Sequence, residues 1–205
     1  TLKDMDINLY VEPVSSDAGT AIGAAFIAYH QTSQNKKVLP FGESLYLGLP
    51  RDYTNEQVTV TAEKYNATLE TTDIESVVKL MCDKNIVAMF QGRSESGPRA
   101  LGNRSLMYDP TDPNGKDHVN KIKRREYFRP FAGTILAEHA EEWFDMRGLE
   151  QTPHMMYAMD CQEGIAEKIP SIALVRDLPG VHLTKAVRVT HHAKKMAIPE
   201  IVPKI

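Results

Sequence analysis

Little in this sequence is available for covalent cross-linking. Only two cysteines occur in 205 residues, Cys82 and Cys161. Two lone thiols do not make a disulfide framework, so a reducing compartment, the cytoplasm, is expected. Neither thiol sits beside an activating base or a helix-start signal, so both read as bland side chains and not as nucleophiles. No apolar run approaches the roughly 18 residues that a membrane span needs. The opening Thr1-Leu2-Lys3-Asp4 lacks the charged start and apolar middle of a secretion signal. It also lacks an initiator methionine, and Ile201-Val202-Pro203-Lys204-Ile205 ends as arbitrarily, so a fragment is expected. Excess charge of one sign is missing too. The net charge of −3 argues against general affinity for nucleic acid, and any anion site must come from local clustering of Lys and Arg. There is no internal repeat, no low-complexity stretch, no Gly-x-x-x-x-Gly-Lys-Ser/Thr pattern and no dinucleotide fingerprint.

What remains is an ordinary globular composition. An apolar content of 42% and a charged content of 25% support one large domain, or a small domain plus a piece of another. Leu9-Tyr10-Val11-Glu12-Pro13 reads as a short strand stopped by proline. Ser15-Ser16-Asp17 offers helix-capping chemistry to a small-residue helix from Ala18 to His30, whose Gly and Ala predict burial against a close neighbour. A polar linker from Gln31 to Lys37 leads to a loop-rich stretch with a short strand at Leu45-Tyr46-Leu47, and the domain boundary is placed near residues 35–50. Asn55–Tyr65 reads as a helix, Ala67–Thr71 as a weak strand, and Asp73 as the cap of a helix carrying Ile74, Val77, Val78, Leu80 and Met81. The run Ile86–Phe90 predicts a buried strand. Beyond it come a turn at Pro110–Gly115, a basic helix over Lys116–Glu126, a strand ending at Leu136, an acidic helix over Glu138–Phe144 and a strand over Met155–Met159.

The strongest chemical signal follows the apolar run: Gly92-Arg93-Ser94-Glu95-Ser96-Gly97-Pro98-Arg99-Ala100-Leu101-Gly102-Asn103-Arg104-Ser105. Glycines permit positive φ and close backbone approach, and their N–H groups can form an anion-binding nest. Arginine adds a planar fork suited to phosphate and carboxylate oxygens. Glu95 would hold a fork in place or bind a ligand hydroxyl. The competing reading is a solvated turn with surface arginines, but residues 93, 99 and 104 fit one helix face poorly.

The second signal is Asn120-Lys121-Ile122-Lys123-Arg124-Arg125-Glu126-Tyr127-Phe128-Arg129-Pro130-Phe131. Taken alone, a basic helix is a solvated face or a nucleic-acid contact. Arg129 is expected to turn inward with its flanking aromatic and proline residues, and a buried arginine needs an anionic partner. Asp17 reads either as a helix cap or as a metal ligand. His191-His192 looks like half of a metal site, but no Cys or carboxylate lies at usable spacing.

The two motifs together closely resemble the bacterial O-carbamoyltransferase family, whose members modify nodulation factors, cephalosporins and aminoglycosides. The turn around Asp17-Ala18-Gly19 and the Leu45-Tyr46-Leu47-Gly48 segment are also similar to that family, and the resemblance covers roughly residues 8 to 160. It implies an α/β protein with a YrdC-like mixed twisted sheet flanked by helices. That domain would occupy residues 41–205, incomplete at its C-terminus, and would form carbamoyl-adenylate from carbamoyl phosphate and ATP. Residues 1–40 would be the end of an actin-like ATPase-superfold domain. That domain would bind Fe²⁺, with Asp17 as one ligand, and transfer the carbamoyl group to a hydroxyl of a sugar-like or natural-product acceptor. The resemblance assigns Arg99, Lys123 and Arg129 as the catalytic cations holding carbamoyl phosphate and the adenylate. Arg93, Glu95, Gly97, Gly102, Arg104 and Ser105 support the ligand, and Mg²⁺ accompanies the nucleotide. No membrane partner is expected, and a homodimer is allowed. The chain departs from the family pattern near residues 170–190, where a His-x-Asp-Gly-Thr-x-Arg stretch is expected and Ile169–Gly180 stands instead. Two other classes stay open: a YrdC-fold module for double-stranded RNA, and a nucleotide-binding module without chemistry.

Overall fold

The computed structural model describes residues 11–33, 44–49, 53–175, 182–184 and 188–190. His191-His192, Leu9 and Tyr10 of the expected strand at Leu9–Pro13, and the stretch 176–181 lie outside them, while Val11 to Pro13 are described and do not form a strand. The elements in chain order are α1 (Asp17–Thr32), α2 (Asn55–Lys64), α3 (Ile74–Cys82), β1 (Val87–Phe90), β2 (Arg104–Met107), α4 (Gly115–Ile122), β3 (Thr134–Leu136), α5 (Ala140–Trp143), β4 (Phe144–Asp145), β5 (Asp160–Cys161), β6 (Ala173–Val175), β7 (His182–Thr184) and β8 (Arg188–Thr190). The class is mixed α/β, with helices and small sheets.

Local chemistry sets the helix ends. Thr54 and Gln57 form a reciprocal capping box ahead of α2, and the Asp73 carboxylate accepts the Ser76 N–H at the start of α3. The C-termini of α2, α3 and α4 share one device. Asn66, Lys84 and Arg124 each take a positive φ, of 52°, 63° and 50°. The next N–H then returns to a carbonyl five residues earlier, as in Ala67 to Ala62, Asn85 to Leu80 and Arg125 to Asn120. This is a Schellman closure built without glycine, and it satisfies carbonyls that the helix end would orphan.

Two compact units result. One comprises residues 1–52 with 90–105, the other 53–89 with 106–205. In the first, Val14, Leu45 and Leu101 are buried. The second has a core of Ala140, Phe144, Met146, Met159, Ile165 and Ile169. Beside it lies an antiparallel sheet in the order β4-β5-β7-β6, with Phe144 opposite Cys161 and Asp160 opposite Leu183. β3 pairs in parallel with β8, and β1 pairs with β2.

Several expectations are corrected. Leu45–Leu47 is not a strand; Leu45 O accepts from Ser96 N and Gly48 N donates to Ser94 O, so the segment is held by a loop and not by a ladder. Ala67–Thr71 is exposed and irregular, and the Ala67 N–H is already spent on closing α2. Met155–Met159 is irregular, with Met155 at φ 53°, and the strand begins only at Asp160. The basic helix stops at Ile122, short of Glu126, because Arg124 takes the left-handed conformation. α1 forms as expected but buries no residue. Gly19 serves the turn before the helix, since a Cβ there would lie 2.1 Å from Val14 O, and a Cβ on Gly23 would meet nothing within 4 Å.

Candidate functional site

The loop joining β1 to β2 is held almost entirely by its own polar groups. One oxygen of Glu95, Oε1, accepts the backbone N–H groups of Leu101 at 2.8 Å, Asn103 at 2.7 Å and Arg104 at 3.1 Å. Gly102 N–H donates to Ser105 Oγ at 2.8 Å. The anion-binding nest suggested by the glycines therefore exists, and its guest is the chain's own carboxylate. Burial pushes the Glu95 pKa up, but the backbone N–H groups around it outweigh that and hold it below the ordinary carboxylate value.

The three arginines of the loop divide into two kinds. Arg104 donates to Gln91 O, Asn103 O and Gly92 O, and its guanidinium lies 3.6 Å from the centre of the Phe90 ring. Arg93 donates from Nε to Gly48 O at 2.8 Å, while Asn103 Nδ2 donates to Arg93 O at 2.6 Å. Both are tied to backbone. Arg99 is exposed, and among the described residues its side chain has no hydrogen-bond or ion-pair partner. Gly97, at φ 102°, and Gly102, at φ 101°, make the turns on either side of it.

The basic segment belongs to the second unit and is organised by Asn120, which sequence reasoning passed over. Asn120 is 1% exposed. Its amide Nδ2 donates to Arg129 O at 2.7 Å and to Tyr127 O at 3.2 Å, so one side chain on the buried face of α4 gathers the loop behind it. An asparagine two residues before a helix end, followed by a turn rich in charge, is the signal that pointed to it. Its Oδ1 and the Nε of Arg125 are buried without a protein partner among the described residues. Arg125 otherwise donates to Pro130 O and stands 4.8 Å from the centre of the Phe131 ring.

Arg129 does not turn inward. Its side chain is half exposed and paired with Glu126, Nε to Oε2 at 2.5 Å. Tyr127 and Phe128 are also exposed, at 75% and 63%, because the Asn120 bonds hold the backbone of this loop inward and leave its side chains pointing out. The Arg129 bond draws the Glu126 pKa below the ordinary value. Lys121, Lys123 and Arg124 are exposed, and none has a side-chain bond among the described residues.

A second polar cluster braces the turn before α4. Tyr108 Oη donates to Asp112 Oδ2 at 2.6 Å, Ser171 Oγ donates to Asp112 O, and Lys84 reaches Asp109 at 2.5 Å and Thr111 at 2.9 Å. Desolvation first, then the bond to Asp112, pushes the Tyr108 pKa up to about 12. These groups satisfy one another and read as structural.

Asp17 is the first residue of α1, exposed, and the preceding Ser16 makes no side-chain capping bond. Among the described residues no three His, Cys, Asp or Glu side chains group as a metal site. Among the described residues Asp17 therefore offers a single ligand, with no companion side chains to complete an iron centre. No helix among the described residues is long and apolar enough to cross a membrane.

Comparison with known proteins supplies the remaining fact. A family model described as "Carbamoyltransferase C-terminus" matches residues 78–192. The match runs through residues 170–192, where motif reading had suggested departure from the pattern. The chain is 38% identical to an uncharacterized protein of Synechocystis over 167 residues, 76% of this chain and 26% of that protein. It is 34% identical to nodulation protein NolO of Bradyrhizobium diazoefficiens, over 82% of this chain and 31% of that protein. It is 30% identical to nodulation protein U of Azorhizobium caulinodans, over 94% of this chain and 31% of that protein. The chain thus spans under a third of the length of these relatives.

Proposed function

Because the chain belongs to the carbamoyltransferase C-terminal family, we propose that it is the part of an ATP-dependent O-carbamoyltransferase that binds carbamoyl phosphate and the nucleotide. On this reading water first cleaves carbamoyl phosphate to carbamate and phosphate. A carbamate oxygen then attacks the α-phosphorus of ATP and expels pyrophosphate to give carbamoyl-adenylate, and the carbamoyl group finally passes to a hydroxyl of a small-molecule acceptor, with AMP as leaving group. The α/β arrangement is taken to be YrdC-like. Supporting contacts come from the loop that begins at Gly92.

The physical problem is charge. Carbamoyl phosphate and ATP each bring several negative charges, which repel one another unless cations and N–H donors offset them. We assign Arg99, Lys123 and Arg129 to the phosphate and carbamoyl oxygens. Arg99 carries the reading furthest. In a loop where Arg93, Arg104 and four successive N–H groups are already spent, it alone keeps its guanidinium exposed and, among the described residues, unpaired. Such a group, held on an ordered backbone, loses little freedom when it meets an anion bidentately. Arg129 must exchange Glu126 for its ligand, a small cost for a half-exposed pair. Mg²⁺ bound to the nucleotide's own phosphates would offset further charge.

The test is calorimetry of the chain with carbamoyl phosphate, with and without a non-hydrolysable ATP analogue. Binding is expected, with a loss of about tenfold or more in Arg99→Ala and in Lys123→Ala. Undiminished affinity in both variants refutes the assignment. In the full-length protein, Arg129→Ala is expected to abolish pyrophosphate exchange.

A further inference from the structure

We propose that Glu95 is a positioning residue: an internal anion that closes the loop presenting Arg99, and not a group that meets the ligand. The proposal rests on the reading of Arg99 as a phosphate-binding residue. Its argument is geometric. The chain leaves Glu95, turns through Gly97, and returns so that the N–H groups of Leu101, Asn103 and Arg104 all point at Glu95 Oε1, within 3.1 Å. Both ends of the excursion are pinned from one neighbouring segment. Ser96 N donates to Leu45 O at 2.7 Å, and Tyr46 Oη donates to Leu101 O at 2.8 Å. Beneath the turn sits Val14, 1% exposed, which a Cβ on Gly97 would contact at 3.4 Å. What projects from this closed loop is Pro98, Arg99 and Ala100, all exposed.

The donors could in principle serve a ligand anion instead. Two observations weigh against that. Leu101 is 2% exposed and Gly102 is buried, which shields the Leu101 N–H, and the N–H groups of the half-buried Asn103 and Arg104 already lie within 3.1 Å of Glu95 Oε1, so a ligand oxygen would have to displace the carboxylate to reach them. The ligand would also have to share them with a carboxylate of like charge, which is unfavourable. A carboxylate oxygen can accept several donors at once, and its charge strengthens each bond. A carboxamide oxygen is a weaker acceptor, and its NH₂ cannot accept at all. Glu95→Gln therefore tests the charge while keeping the shape.

The experiment is a double-mutant cycle on the full chain, with carbamoyl phosphate as the titrant in calorimetry and urea midpoints measured in parallel. Arg99→Ala is expected to weaken binding by about tenfold or more. Glu95→Gln alone is expected to weaken it several-fold to about tenfold, and to cost nothing further when Arg99 is already alanine, since coupled residues are not additive. A residue that merely held the fold would produce the same loss in both backgrounds. Three results overturn the proposal while leaving Arg99 in place: unchanged affinity in Glu95→Gln, an equal loss with and without Arg99, or tighter binding, which would put the carboxylate in the ligand's own position. If Arg99→Ala binds normally, the reading of the site fails first and this proposal with it. Should Glu95→Gln not fold, Gly97→Ala strains the same loop at φ 102° without touching the carboxylate. It is expected to show the same loss, again absent in the Arg99→Ala background, and normal binding by Gly97→Ala counts against the proposal.

Discussion

Asn120 offers the sharpest stability test, because one amide holds two carbonyls and leaves one of its own atoms unsatisfied. Asn120→Ala removes the bonds to Arg129 O and Tyr127 O. Each intramolecular hydrogen bond contributes roughly 0.5–1.5 kcal/mol net, so the loss is about 1–3 kcal/mol. The same substitution deletes the buried, unpartnered Oδ1, whose desolvation is a cost already present in the wild type. That relief, on the order of 1 kcal/mol, brings the expected destabilisation to about 0–2 kcal/mol. Asn120→Asp keeps the shape but places an acceptor where the donor stood, against two carbonyl oxygens at a site 1% exposed. It must either bury a charge or take up a proton, so it should cost about 3–5 kcal/mol. Urea unfolding followed through Trp143, the sole tryptophan, measures both. With a slope of about 2 kcal/mol/M, the alanine variant should move the midpoint by no more than about 1 M and the aspartate variant by more than about 1 M. If aspartate is no worse than alanine, the bonds do not hold this loop and the reasoning fails.

Gly115→Ala should destabilise by about 1–3 kcal/mol, since its Cβ would lie 2.4 Å from Ser171 Oγ and 2.7 Å from Tyr108 Cε1. Gly23→Ala is the control in the same urea series: nothing lies within 4 Å, so about 0.5–1 kcal/mol of added helix stability is expected, and a loss there refutes the steric account. Met159→Ala, at a position 1% exposed in the second unit's core, should cost about 2–5 kcal/mol by the same assay. A change below about 0.5 kcal/mol would show that this cluster is not a packed core.

The sequence by itself determined whatever depends on neighbours along the chain. The apolar run ending at Phe90 became β1, Asp73 capped α3, and the two basic motifs pointed to a carbamoyltransferase family that the comparisons bear out. These are matters of period, capping chemistry and ordered residue identity, all local. Only the tertiary structure decided what depends on direction in space. Three arginines in one loop look alike in sequence, yet Arg93 and Arg104 are turned back on carbonyls, and of the three Arg99 alone has no side-chain partner among the described residues. Glu95 looked like a ligand contact and is the acceptor for three N–H groups brought from up to nine residues away. Leu45–Leu47 had the residues of a strand and lacked a regular partner. Arg129 sat in an apolar context and found Glu126 three residues earlier in the chain, at the surface. The reason is common to all four. A side chain's role is set by which unsatisfied donor or acceptor it can reach, and that inventory exists only once the backbone has closed.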